Sequence, residues 1–230
     1  SYLSGIESRE AIRARLTEVW NYERYGTPRR VGDRYLWSHN SGLQDQSILY
    51  IADGIDAEAQ VLIDPNAFSD DGTRALAGTR ASWGGQYLAY AISDGGSDWK
   101  TWYVKDLETG ADLDDVIEWS KFSGPTWAHD DSGFYYSRYP EPENPLEASN
   151  ENNQLYFHAL GTPQSEDMLI IENPDAPEQS FSAQVSEDGA WLFIYVSEGT
   201  GNQNRLYVQS LTEEDAPIQK IWDDLDAAYW

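Results

Sequence analysis

The chain has 230 residues and carries 40 Asp and Glu against 15 Lys and Arg, a formal charge of −25; it is long enough to bury a real core, and its field repels nucleic acid and anionic lipid, so neither is expected as a partner. It contains no cysteine, which excludes disulfides and thiolate metal sites, and no segment approaches the roughly 20 apolar residues of a membrane-spanning helix. Only four of the basic residues are lysines, Lys100, Lys105, Lys121 and Lys220, and an acidic, lysine-poor surface is the balance expected of a protein kept soluble in salt.

In chain order, residues 1–25 read as an N-terminal helical segment. Ile12, Leu16, Val19 and Trp20 recur at helical spacing, and Ser4 or Ser8 is placed to cap the start. The apolar stripe of such a helix needs a partner surface. From residue 26 onward the pattern changes to a repeat. A turn followed by an aromatic-rich alternating strand returns at Gly32–Trp37, Gly85–Tyr90, Gly133–Tyr136 and Gly189–Tyr195, with glycine spacings of 53, 48 and 56 residues. That period is close to the roughly 40–50 residues of a four-stranded propeller blade.

Each period has room for four short strands. In the third copy they are predicted at Gly124–Ala128, Phe134–Tyr139, Gln154–Ala159 and Met168–Glu172, bounded by Asp, Ser, Gly and Pro. Second outward strands recur at Ile48–Ile51, Thr101–Val104, Leu155–Phe157 and Leu206–Val208. The Pro- and Glu-rich stretch 140–153 reads as a long exposed loop inside the third blade. The fold class is therefore all-β, four four-stranded antiparallel propeller blades over residues 26–230, preceded by one short α-helix. A single blade cannot bury both of its faces, so the core must form between neighbouring blades.

Catalytic chemistry is largely missing from these residues. No Gly-x-Ser-x-Gly presents a nucleophile, no Gly-rich loop cradles phosphate, and His39, His129 and His158 belong to no metal-binding spacing. No metal and no cofactor is expected. The acidic pairs Asp70-Asp71-Gly72, Asp130-Asp131 and Glu187-Asp188-Gly189 sit where hairpin turns are needed, with Gly supplying positive φ and Asp capping the backbone. Trp99 and Phe122 lie at blade edges and read either as packing between blades or as contacts for a ligand or domain.

Several longer runs carry a resemblance: Arg15-Leu16-Thr17-Glu18 towards Tyr25, Ser38-His39-Asn40-Ser41-Gly42-Leu43-Gln44-Asp45-Gln46-Ser47, Asp70-Asp71-Gly72-Thr73, Gly96-Ser97-Asp98-Trp99, Lys121-Phe122-Ser123, Tyr139-Pro140, and Leu160-Gly161-Thr162-Pro163-Gln164-Ser165-Glu166-Asp167. Over nearly its whole length the chain resembles the N-terminal propeller region of prolyl oligopeptidase, a family of serine peptidases that cleave short peptides after proline. The resemblance implies the first four blades of a seven-bladed propeller that caps an α/β-hydrolase peptidase domain and admits only small peptides. The partners it implies are that peptidase domain and short proline-containing peptides. The triad belongs to the peptidase domain, so this stretch alone is expected to be inactive. Phe122 matches a phenylalanine facing the substrate residue two positions before the scissile proline, Ser180 and Thr200 align near positions lining the same subsite, and Asp98 matches an acid at the propeller–peptidase boundary. Relatives by this resemblance are cytoplasmic or periplasmic. The alternative reading is a stand-alone propeller-like module that binds a peptide or protein.

Overall fold

The computed structural model describes residues 2–230, which fall into two compact units that divide after Ala75. The first unit opens with a single 3-10 turn, Tyr2–Gly5, and the helix α1, Arg9–Trp20. Ser8 occupies the N-cap position without a side-chain capping bond; the Ser4 alternative falls outside the described side chains. No residue of α1 is buried, and Ile12 and Trp20 stay 54% and 59% exposed. The helix is thus amphipathic in sequence, with its apolar stripe facing outward.

Five strands follow: β1 (Arg24–Tyr25), β2 (Arg29–Val31), β3 (Arg34–Asn40), β4 (Ile48–Ala52) and β5 (Gln60–Ile63). The β3–β4–β5 meander is antiparallel, and β1 and β2 both pair with β3, so the innermost strand of this blade comes in two pieces. The sheet therefore begins at Arg24, just inside the segment read as helical. Side-chain alternation places Leu36 opposite Ile51 in the β3–β4 register, both buried.

The second unit holds three antiparallel meanders of four strands each. They are β6 (Arg74–Ala81) to β9 (Asp112–Ser120) through β7 (Tyr87–Asp94) and β8 (Lys100–Asp106); β10 (Thr126–Trp127) to β13 (Met168–Ile171) through β11 (Gly133–Arg138) and β12 (Gln154–Ala159); and β14 (Gln179–Val185) to β17 (Gln219–Trp222) through β15 (Trp191–Glu198) and β16 (Asn204–Ser210). The third blade thus falls where the repeat placed it, and 140–153 is free of strand.

Strand β11 shows how the core forms between sheets. Phe134 and Tyr136 pack with Trp102, Val104 and Ile117 of the preceding blade. Tyr135, pointing the other way, packs with Phe181, Leu192, Ile194 and Val196 of the following blade. A strand apolar on both faces is what two neighbouring sheets require. Polar bonds fasten the innermost strands as well: Trp127 Nε1 donates to Arg80 O at 3.0 Å, and Thr126 Oγ1 to Ala183 O at 2.7 Å.

The repeated turns use one chemistry with one substitution. Gly85 and Gly189 take φ of 73° and 72°, as a tight turn into the second strand needs. In the third blade Asp131 takes the left-handed position instead, at φ 58°, and its carboxylate accepts bonds from Ser82 Oγ and Gly84 N in the neighbouring turn. Gly133 serves a different need, because a Cβ there would lie 2.1 Å from His158 O.

Candidate functional site

The end of β9 and the segment that follows it hold two residues in the left-handed region, Trp119 at φ 61° and Phe122 at φ 56°. Non-glycine residues hold that conformation only where their surroundings impose it, at a cost of about 1–3 kcal/mol each. The surroundings here are specific. Trp119 O accepts from Tyr139 N at 2.9 Å, Ser120 Oγ donates to Ser137 O at 3.1 Å, and Ser137 Oγ donates to Ser123 Oγ at 2.9 Å. Between the two strained residues Lys121 folds inward, while Phe122 remains 63% exposed. Within this chain Phe122 is thus not among the buried core residues.

The Lys121 ammonium lies 3.8 Å from the Trp99 ring centroid and donates to Asn150 Oδ1 at 3.1 Å. Burial pushes this ammonium below the usual lysine range, and the charge of Asp98 opposes that shift. Trp99 meets Trp119 and Tyr139 edge-on and donates from Nε1 to Pro145 O at 3.0 Å. The loop 140–153 is therefore tied to this assembly by Trp99 at Pro145 and by Lys121 at Asn150, and its end is held by Asn152 N donating to Pro177 O at 2.8 Å and by Asn153 bonding Arg138 O and Phe181 N.

Next to this assembly opens a cavity of about 510 Å³ lined by Phe122, Ser180 and Thr200, with Lys121, Asn150 and Ser197. The three residues assigned to a subsite by resemblance thus share one hollow, although they lie on three separate stretches of chain. Asp98 does not line it; the structure places it exposed beside Lys121. Lys121, Asn150 and Ser197 were not singled out as site residues. Lys121 carried a signal, one of four lysines set immediately before the phenylalanine of a recognisable run.

The acidic pairs are engaged in turns. Asp71 Oδ1 accepts from Thr73 N and Oγ1, Asp130 Oδ1 from Ser132 N and Oγ, and Asp188 Oδ1 from Ser186 Oγ and Ala190 N. These bonds favour the carboxylates and hold all three below the usual range.

One buried cluster was not anticipated. His158 on β12 is wholly enclosed, with Nδ1 2.6 Å from Asp167 Oδ1 and Nε2 2.9 Å from Asp115 Oδ1 on β9. Tyr136 OH donates to Asp167 Oδ2 and Gly161 N to Asp115 Oδ1 at 2.7 Å. A signal did exist, since Asp115 shares the inward parity of Leu113 and Ile117 on β9 and so places an acid in an apolar slot. His39, by contrast, stacks on Tyr25 at 4.3 Å, and His129 lies 5.3 Å from the Trp83 ring.

Antiparallel meanders recurring about every fifty residues, with cores formed between successive sheets of the second unit, define a β-propeller domain. The comparisons make this class specific. Residues 1–230 match the family described as prolyl oligopeptidase, N-terminal beta-propeller domain, and the chain belongs to the prolyl oligopeptidase family. It is 39% identical over 212 residues to a prolyl endopeptidase of Elizabethkingia meningoseptica, covering 91% of this chain and 30% of that protein. A dual function macrocyclase-peptidase of Galerina marginata is 32% identical over 96% of this chain and 33% of its own length. Among solved structures, prolyl oligopeptidase B from Galerina marginata, bound to a 35mer hydrolysis and macrocyclization substrate, superposes with a TM-score of 0.90 at 30% identity, over 99% of this chain and 35% of that one. The chain spans about a third of the length of the relatives it matches.

Proposed function

We propose that these residues form the substrate-gating propeller of a prolyl oligopeptidase-like serine endopeptidase that cleaves short peptides after proline. In this reading the blades act with an α/β-hydrolase peptidase domain that supplies the nucleophile, the base and the oxyanion donors. The propeller contributes size exclusion and one wall of the peptide site. Asp98, exposed and electrostatically linked to Lys121, is the residue proposed to face the peptidase domain.

The observation that carries the proposal is the convergence of Phe122, Ser180 and Thr200 on one cavity, with Phe122 held outward in a strained backbone. An exposed aromatic side chain fixed in place offers a flat apolar surface to a peptide at little further ordering cost. A stand-alone binding module is the weaker reading, because the matched relatives are about three times as long.

The test is Phe122→Ala in the full-length protein. KM for a proline-containing peptide should rise roughly tenfold, as expected for losing one aromatic contact, while Tm stays within a few degrees. An unchanged KM with a collapsed Tm would make Phe122 a structural residue.

A further inference from the structure

The dipeptide Asp-Gly occurs at Asp53-Gly54, Asp71-Gly72, Asp94-Gly95 and Asp188-Gly189, and the fold treats these four differently. In such a pair the glycine N–H follows directly on a side-chain carboxyl, and no Cβ hinders their approach. A ring closes when the glycine N attacks Cγ. That step needs an amide and a carboxyl without other partners, and a backbone that can turn locally.

Two of the pairs are locked. Asp188 Oδ1 accepts from Ser186 Oγ and Ala190 N, Gly189 N donates to Ser186 O at 2.9 Å, and a Cβ on Gly189 would lie 2.6 Å from His129 Cβ. Asp71 Oδ1 accepts from Thr73 N and Oγ1, and Gly72 N donates to Ser69 O at 3.4 Å. Asp94-Gly95 has none of these restraints. Among the described residues neither the Asp94 carboxylate nor Gly95 N has a hydrogen-bond partner. Asp94, Gly95 and Gly96 are all exposed, both glycines take positive φ, and nothing lies within 4 Å of where either Cβ would stand. Asp53-Gly54 is unbonded at the same two groups, but Gly54 is half-buried and its carbonyl accepts from Ala57 N at 3.1 Å.

We infer that Asp94-Gly95 is a site of spontaneous isomerisation, and that isoaspartate there releases the hold of Trp99 on the loop 140–153. In the first step the bond from Gly95 N to Asp94 Cγ forms, while the amide hydrogen and the carboxyl OH leave as water. In the second, water cleaves the bond from Asp94 C to Gly95 N in the resulting imide. The main chain then runs through Cγ and is one atom longer, and the former Asp94 carbonyl belongs to a free carboxylate.

That carbonyl closes the turn before Trp99. It accepts from Ser97 N at 2.9 Å, and Ser97 Oγ accepts from Trp99 N at 3.1 Å. These bonds set the position from which Trp99 Nε1 reaches Pro145 O. Isomerisation removes the first of them and lengthens the chain that leads to the indole.

The experiment stores the full-length protein and its Asp94→Ala variant warm at neutral pH, beside the parent held unfolded in urea, until all four pairs have isomerised in the unfolded sample. Peptide mass spectrometry, with fragmentation that separates isoaspartate from aspartate, reads each pair. In the folded parent Asp94 should isomerise first, and Asp71 and Asp188 several-fold more slowly. Amide exchange at Leu146 and Glu147, whose N–H groups bond to Asn144 beside Pro145, should then be several-fold faster in the stored parent than in stored Asp94→Ala. A folded Asp94 that stays intact, or Asp71 and Asp188 that keep pace with it, overturns the site. Isoaspartate at Asp94 with equal exchange in the two stored proteins overturns its link to Trp99.

Discussion

His158 and Asp115 meet at 2.9 Å with both side chains shut off from solvent, and Asp167 closes on the other ring nitrogen at 2.6 Å. A ring that faces a carboxylate on each side needs a hydrogen on each nitrogen, so the geometry is that of an imidazolium between two carboxylates. Burial pulls the His158 pKa down, but the bonds and charges of Asp167 and Asp115 outweigh it and leave the pKa raised above 6.5. The cluster ties β9 of one blade to β12 of the next.

His158→Ala should therefore destabilise the protein by about 3–5 kcal/mol, because it strands two buried carboxylates without their cation. Urea denaturation measures this, and a loss below about 1 kcal/mol would show that the cluster is not an ion triad.

The pH dependence has a definite sign. A group whose pKa is higher folded than unfolded binds its proton more tightly in the native state, so its contribution is complete below about pH 6.5 and fades as pH rises through the folded value. Urea midpoints should fall with rising pH above neutrality in the parent protein. In His158→Asn that component should vanish, and an identical pH slope in both would contradict the account.

Lys121 is predicted to anchor the loop 140–153. Lys121→Met keeps the aliphatic stem and removes the bond to Asn150 and the charge over Trp99, so amide exchange across the loop should accelerate by about tenfold or more. Lys121→Arg, which retains a cation, should recover part of the protection. Loop exchange that ignores both changes would show that the bonds at Pro145, Asn152 and Asn153 suffice without Lys121.

The surface charge makes a prediction of its own. With 40 acids and 15 bases the folded state repels itself, and salt shortens the screening length from about 10 Å at 0.1 M to about 3 Å at 1 M. Tm should rise by several degrees between 0.1 M and 2 M KCl. A flat or falling Tm would mean that the acids are locally compensated.

Much of the fold was legible because alternation and turn residues are local signals. The strands of the third blade, the helix and the loop 140–153 all follow from spacing. The cavity was legible in part: resemblance pointed to Phe122, Ser180 and Thr200, but Lys121 and Ser197 acquire meaning only when β9, β14 and β15 come together. The His158 cluster escaped because its partners are 43 and 9 residues away in sequence, and no local pattern links them. Asp131 escaped for a related reason. Its left-handed backbone is stabilised by a turn 47 residues earlier, so the glycine of the repeat was free to serve close packing instead.

The central claim, that these blades work as part of a peptidase, is tested most directly by isolating the native protein from its source cells with an antibody to this region. Intact mass and cleavage of a proline-containing peptide are then measured on the same material. A species far heavier than this 26.0 kDa chain, cleaving after proline, is the predicted result. A species of about this mass without peptidase activity would contradict it.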